Sequence, residues 1–91
     1  MEIVGTVIEL FASKKINEKI SKKEILIEYL PKKDSTFKKK ALLEIFSNKE
    51  DYSTNLELNK DYKFKVDIKA RQLNSGKWIN NLEIITIKSN F

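Results

Sequence analysis

The sequence predicts an all-β fold, a five-stranded antiparallel barrel formed by one domain over residues 1–91. Apolar and polar residues alternate with a period of two along most of the chain, as they do in half-buried strands. The alternating runs are separated by turn-rich or charged segments, which makes hairpins the economical connection. The chain is also short. An open sheet of five strands leaves two edges ready to pair with other chains, and closure into a small barrel covers both.

The elements follow in order. EIVGTVIELF, residues 2–11, is the first strand, and Gly5 inside it marks a bulge or a sharp bend. ASKKINEKIS, residues 12–21, is polar and reads as a loop. KKEILIEYL, residues 22–30, is the second strand, and the basic finger PKKDSTFKKK follows it. KALLEIFS, residues 40–47, is the third strand. NKEDYSTNLEL, residues 48–58, loses the alternation. Ser47 or Asn48 can cap a short helix there, with Glu50 and Asp51 in its first turn.

The fourth strand, DYKFKVDIKAR, is the clearest. Tyr62, Phe64, Val66, Ile68 and Ala70 make an apolar face, and Lys63, Lys65, Asp67, Lys69 and Arg71 a wet one. QLNSG is a turn, and KWINNLEIITIK is the fifth strand. The apolar positions of that last strand shift phase from Leu82 and Ile84 to Ile85 and Ile87, as a bulge would cause. Five strands with a short helix between strands 3 and 4 is the element order of an OB-fold.

Composition narrows the chemistry. The chain has no cysteine, so disulfides and thiolate metal sites are excluded, and no histidine, the commonest general base. No motif sets a nucleophile beside a base, and the only glycines, Gly5 and Gly76, build no phosphate-cradling loop. The expectation is a protein that is not an enzyme and needs no cofactor or metal. No apolar run approaches the ~18 residues of a membrane span. The N-terminal segment lacks the basic region of a signal peptide, so a cytoplasmic protein is expected.

The net charge of +5 is unevenly spread. Lys14 to Lys40 holds ten lysines against four acids, whereas residues 41–91 hold eight basic and seven acidic residues. Lysine, isoleucine and asparagine share AT-rich codons, which accounts for lysine over arginine but not for the clustering. A clustered basic surface attracts polyanions.

Several stretches together resemble a family of short bacterial and phage OB-fold proteins long catalogued only as a domain of unknown function. They are the N-terminal MEIVGTVIEL, Lys22-Lys23-Glu24, the run FKKKALLEIFSNKED from Phe37 to Asp51, and DIKARQLNSGKWINNLEIITI from Asp67 to Ile87, with its Gly76-Lys77-Trp78. In size and charge the chain is also similar to single-stranded-DNA-binding OB-fold proteins. Where the family has glycine before its fourth strand this chain has Asn59, which tolerates a left-handed backbone nearly as well. An aromatic often found before the second strand is missing, so base stacking is not expected of that loop. The acidic tail many bacterial relatives use to recruit partners is absent from the end KSNF.

Single-strand binding needs cations along the phosphates and aromatic faces for the bases. The candidate cations are Lys14, Lys15 and Lys22 near the first loop, Lys32, Lys33, Lys38, Lys39 and Lys40 on the finger, and Arg71 and Lys77 beside the last turn. In an OB-fold these three places are expected to border one face. Phe37, Phe46 and Trp78 are the candidate stackers. Phe37 reads equally as a lid on the barrel end, and Trp78 as a core residue sealing it. Tyr62 and Phe64 read as core. Lys63, Lys65 and Lys69 read as a solvated face. Gln72, Asn74, Asn80 and Asn81 are weaker candidates for base contacts.

The expected function is binding of single-stranded nucleic acid, DNA before RNA, with little sequence preference, in replication, recombination or repair. A homodimer or higher oligomer and contacts to replication proteins are expected with it. The alternative is a protein-interaction module, a replisome accessory or phage-encoded inhibitor, that docks an acidic partner.

Overall fold

The computed structural model describes residues 1–31, 36–46 and 56–90. Six strands run through them: β1 (Glu2–Leu10), β2 (Lys14–Lys15), β3 (Ser21–Tyr29), β4 (Lys39–Phe46), β5 (Asp61–Gln72) and β6 (Trp78–Ser89). Five of them close a ring: β1 pairs with β5, β5 with β6, β6 with β4, β4 with β3, and β3 returns to β1. This closure, with β1 shared between two neighbours, is that of the OB-fold.

Four of the five pairings are antiparallel, and the β4–β6 pairing is parallel. The all-antiparallel expectation is corrected at this one join. Directions cannot alternate around a ring with an odd number of strands, so one pair must run parallel. It is short, with Leu43 opposite Leu82 and Glu44 opposite Glu83. The sixth strand, β2, lies in the segment expected to be loop. Its two residues pair with Ser21 and Lys22 of β3. Asn17 shapes the turn between them by accepting from the backbone N–H groups of Lys19 (2.8 Å) and Ile20 (2.9 Å).

Gly5 sits where β1 passes from β5 to β3. A Cβ there would lie 3.0 Å from Ile27 Cδ1 and 3.1 Å from the Glu28 carbonyl oxygen, so the close approach of β3 requires glycine. The bulge itself falls further on, between Val7 and Glu9. On β6 the expected phase shift is a bulge: Thr86 faces Lys65 and Ile84 faces Val66, which leaves Ile85 extra. Asn59, with φ of 65°, takes the left-handed turn into β5. Its N–H donates to the Val7 carbonyl at 2.7 Å. Residues 56–58 are loop and turn; the rest of the expected helix lies outside the described residues.

The barrel interior is filled by Val7, Ile25, Ile27, Leu43, Ile45, Tyr62, Phe64, Val66 and Ile84, with Leu56 beside them. Each such side chain contributes roughly 1.5–3 kcal/mol on burial. Tyr62 keeps its hydroxyl satisfied by accepting from the Glu57 N–H at 2.8 Å. The core ends at the pair Val66 and Ile84. Past Leu82, where β4 stops pairing with β6, β5 and β6 continue as a two-stranded ribbon to Gln72 and Trp78. Ile68, expected inside by its alternation, is 54% exposed, and Ala70 is exposed too. Their face is continuous with the core face, but the ribbon has outrun the barrel.

Candidate nucleic-acid interface

A groove of about 310 Å³ crosses the outer wall of the barrel. Its floor is Glu44 and Phe46 of β4 with Asn81 and Glu83 of β6, and its walls are Lys22 and Ile16 on one side and Lys69, Ala70 and Arg71 of the ribbon on the other. Alternation explains why Lys22, the β4 and β6 side chains, and Lys69 and Arg71 of β5 share a face. Leu43 and Ile45 point inward, so Glu44 and Phe46 point out. Lys22 stands opposite Phe46, and Lys69 stands opposite Asn81. The strands expected to carry an OB-fold site, the second and third of the ring, and the ribbon after the fourth therefore meet here.

The cations are held by carboxylates. Lys22 Nζ lies 3.4 Å from Glu44 Oε1, and Asn81 Nδ2 donates to the same oxygen at 3.0 Å. Lys14 lies 3.7 Å from Glu24, and the Lys69 ammonium contacts Glu83 Oε2. The hydrogen bond to Glu83, then its charge, raises the Lys69 pKa above the ordinary lysine value. Glu44 is only 9% exposed, so Lys22 and Asn81 supply the partners its charge needs. Among the described lining residues three cations stand against two carboxylates. A larger hollow, about 470 Å³, opens between β1 and β3 near Tyr29. Among the described residues it sets Glu28 and Asp61 against Lys38.

Of the candidate site residues, Lys22, Phe46 and Arg71 meet in this groove. Lys14 and Lys15 are next to it on β2 and exposed. The described finger lysines, Lys38, Lys39 and Lys40, do not join them. Lys39 pairs with Tyr29 and Lys40 with Glu28, at the far end of the β3–β4 hairpin, about 20 Å along the strand from Lys22. The described basic candidates on β3 and β4 thus fall at opposite ends of this strand pair. Lys38 lies 3.6 Å from Glu28, and Phe37 is 81% exposed, which excludes the lid. Lys32 and Lys33 lie outside the described residues.

Lys77 and Trp78 sit at the ribbon tip, where Gly76 turns the chain with φ of 90°. Trp78 is 64% exposed and is no core residue. It stands opposite Gln72, whereas Arg71 stands opposite Ile79, so Trp78 lies on the other face of the ribbon from the groove. The groove also holds residues that local sequence patterns miss. Lys69 reads as solvated by alternation alone, and only the β5–β6 register brings it to Asn81 and Glu83. Ile16 arrives through the β2–β3 hairpin, which has no periodicity to announce it. Among the described residues no group of three or more Asp or Glu side chains is placed to hold a metal ion. No described helix is long and apolar enough to cross a membrane.

Fold and groove define a small OB-fold protein with an open, cation-walled face. The chain belongs to the family described as Domain of unknown function (DUF3127), whose model matches residues 2–88. Among curated proteins nothing matches the sequence. Among solved structures the fold is similar to the dimeric N-terminal domain of the PriB protein from Thermoanaerobacter tencongensis, with a TM-score of 0.73 and 16% identity over 98% of this chain and 92% of that one.

Proposed function

We propose that this protein binds single-stranded nucleic acid, DNA before RNA, with little sequence preference, and serves replication, recombination or repair in the cytoplasm without catalysing a reaction. One observation carries the reading: Phe46 is set between Lys22 and Arg71 in an open groove on the OB-fold face. Phosphates follow the cations and release counterions, while a base stacks on the ring. Lysine is a flexible point charge that does not read base edges bidentately, which favours tracking of the backbone. A single OB module holds roughly 4–16 nucleotides. Weak binding by one copy is then offset by pairing two, and the PriB domain of similar fold is itself a dimer. Contacts to other replication proteins belong to the same reading.

The test is fluorescence anisotropy of labelled oligo-dT of ~30 nucleotides at two salt concentrations, beside an equal duplex and an oligo-U. The expected result is preference for the single strand, with a log–log salt slope of about −0.7 per phosphate contacted. Absence of binding at low salt overturns the reading. The second reading, docking of an acidic protein, is favoured by one observation: Lys39 and Lys40 stand apart from the groove. Their replacement by alanine, with Phe46 intact, would then remove binding altogether.

A further inference from the structure

A channel built only for phosphates has no use for buried carboxylates, yet this groove has them in its floor. Glu24, Glu44, Glu83 and Asp67 stand opposite one another on β3, β4, β6 and β5, one acid per strand in a single row. Like charges placed opposite on neighbouring strands destabilise a sheet. The row persists because Lys14, Lys22 and Lys69 each pair with one member. Two of the four, Glu44 and Glu83, line the groove beside Phe46, Asn81 and Arg71.

The pairing is one-sided. Glu44 engages Lys22 and Asn81 through Oε1, and Glu83 engages Lys69 through Oε2. No hydrogen bond reaches Glu44 Oε2 among the described residues, and the buried Glu83 Oε2 accepts none beyond its ionic contact with Lys69; carboxylate oxygens are acceptors. A base stacked on Phe46 presents its edge to this floor, because Glu44 is the next outward residue of the same strand. The floor therefore offers acceptors to the base, while the cations of the walls face the backbone. Cytosine carries a donor, its N4 amine, where thymine and uracil carry the O4 acceptor, and carboxylates accept from that amine. A carbonyl brought to the same place meets a carboxylate and loses.

We infer that Glu44 and Glu83 read the base edge, so that the groove takes cytosine-bearing single strands in preference to thymine- or uracil-bearing ones. This rests on the single-strand reading above and adds a preference to it.

The experiment compares anisotropy titrations of labelled oligo-dC and oligo-dU of ~12 nucleotides, within the span of one OB-fold. The two bases differ at position 4 by amine against carbonyl. Oligo-dC is expected to bind at least about fivefold tighter, the low end of what a good base contact discriminates. Glu44→Gln replaces one acceptor by a donor. It is expected to tighten binding of both strands, since a negative charge leaves the groove, and to bring their ratio to about one. Glu83→Gln makes the same comparison should Glu44→Gln fail to fold. Equal affinity of the wild-type protein for the two strands, or a ratio unchanged in both folded variants, overturns base reading and leaves single-strand binding standing. No binding of either strand overturns both.

Discussion

Lys22 of β3 and Phe46 of β4 stand directly opposite each other, side chains on the same outer face. A cation and an aromatic ring are thereby placed one strand apart at the groove.

Phe46→Ala is expected to weaken single-strand binding by about 5- to 150-fold, the equivalent of ~1–3 kcal/mol for one stacked base. Phe37→Ala is expected to leave strands of ~12 nucleotides unaffected and to weaken only longer ones that reach the finger. Anisotropy titrations with both lengths check this. An unfolding free energy for Phe37→Ala within about 0.5 kcal/mol of wild type would match its exposed position.

Arg71→Ala is expected to lower the log–log salt slope of single-strand binding by about 0.7, one phosphate contact. Lys63 lies on another part of the wall, grouped with Glu2, Lys65 and Lys88. Lys63→Ala is expected to leave the slope for short strands unchanged.

Asn59→Gly is expected to be neutral or slightly stabilising, because the left-handed turn costs glycine nothing. Asn59→Ala is expected to destabilise by about 1–2 kcal/mol, the cost of that conformation for an ordinary L-residue. Urea unfolding followed by circular dichroism measures both.

Gly5→Ala puts a methyl group against Ile27 and against backbone that cannot swing away. The expected loss is about 1–3 kcal/mol, the usual cost of overpacking. A wild-type unfolding midpoint in this variant would mean that β1 and β3 have room to separate.

The Lys69 pKa is raised in the folded chain by Glu83. Its contribution to stability is therefore complete below the ordinary lysine pKa and is lost as pH rises through the folded value. Lys69→Met is expected to show a shallower loss of the urea midpoint than wild type between neutral and alkaline pH. Glu2 has the opposite sign: the hydrogen bond from Lys63 lowers its pKa, so its contribution is lost as pH falls through the folded value.

Strands with one wet face could be found from sequence, since Tyr62, Phe64 and Val66 announce their burial by alternation. The phase shift around Ile85 exposed a bulge for the same reason. What could not be found depends on pairing between distant residues. The ribbon beyond Val66 alternates like the barrel wall, and only the point where β4 and β1 stop covering it reveals that Ile68 is wet. The groove is hidden likewise, since Lys22, Glu44, Asn81 and Lys69 are neighbours by strand order and not by chain order. Lysine density peaks at the finger, whose described lysines lie at the end of the hairpin away from the aromatic floor.

The parallel join between β4 and β6 rests on two opposed residue pairs, Leu43 with Leu82 and Glu44 with Glu83. The groove straddles it, with Glu44 and Phe46 on one side and Asn81 and Glu83 on the other. Whatever lodges there touches both banks of the narrowest seam in the barrel and acts as a clasp across it. Amide hydrogens along this seam should then slow their exchange with solvent more than any others when the groove fills, and the chain should become harder to unzip from its weakest side.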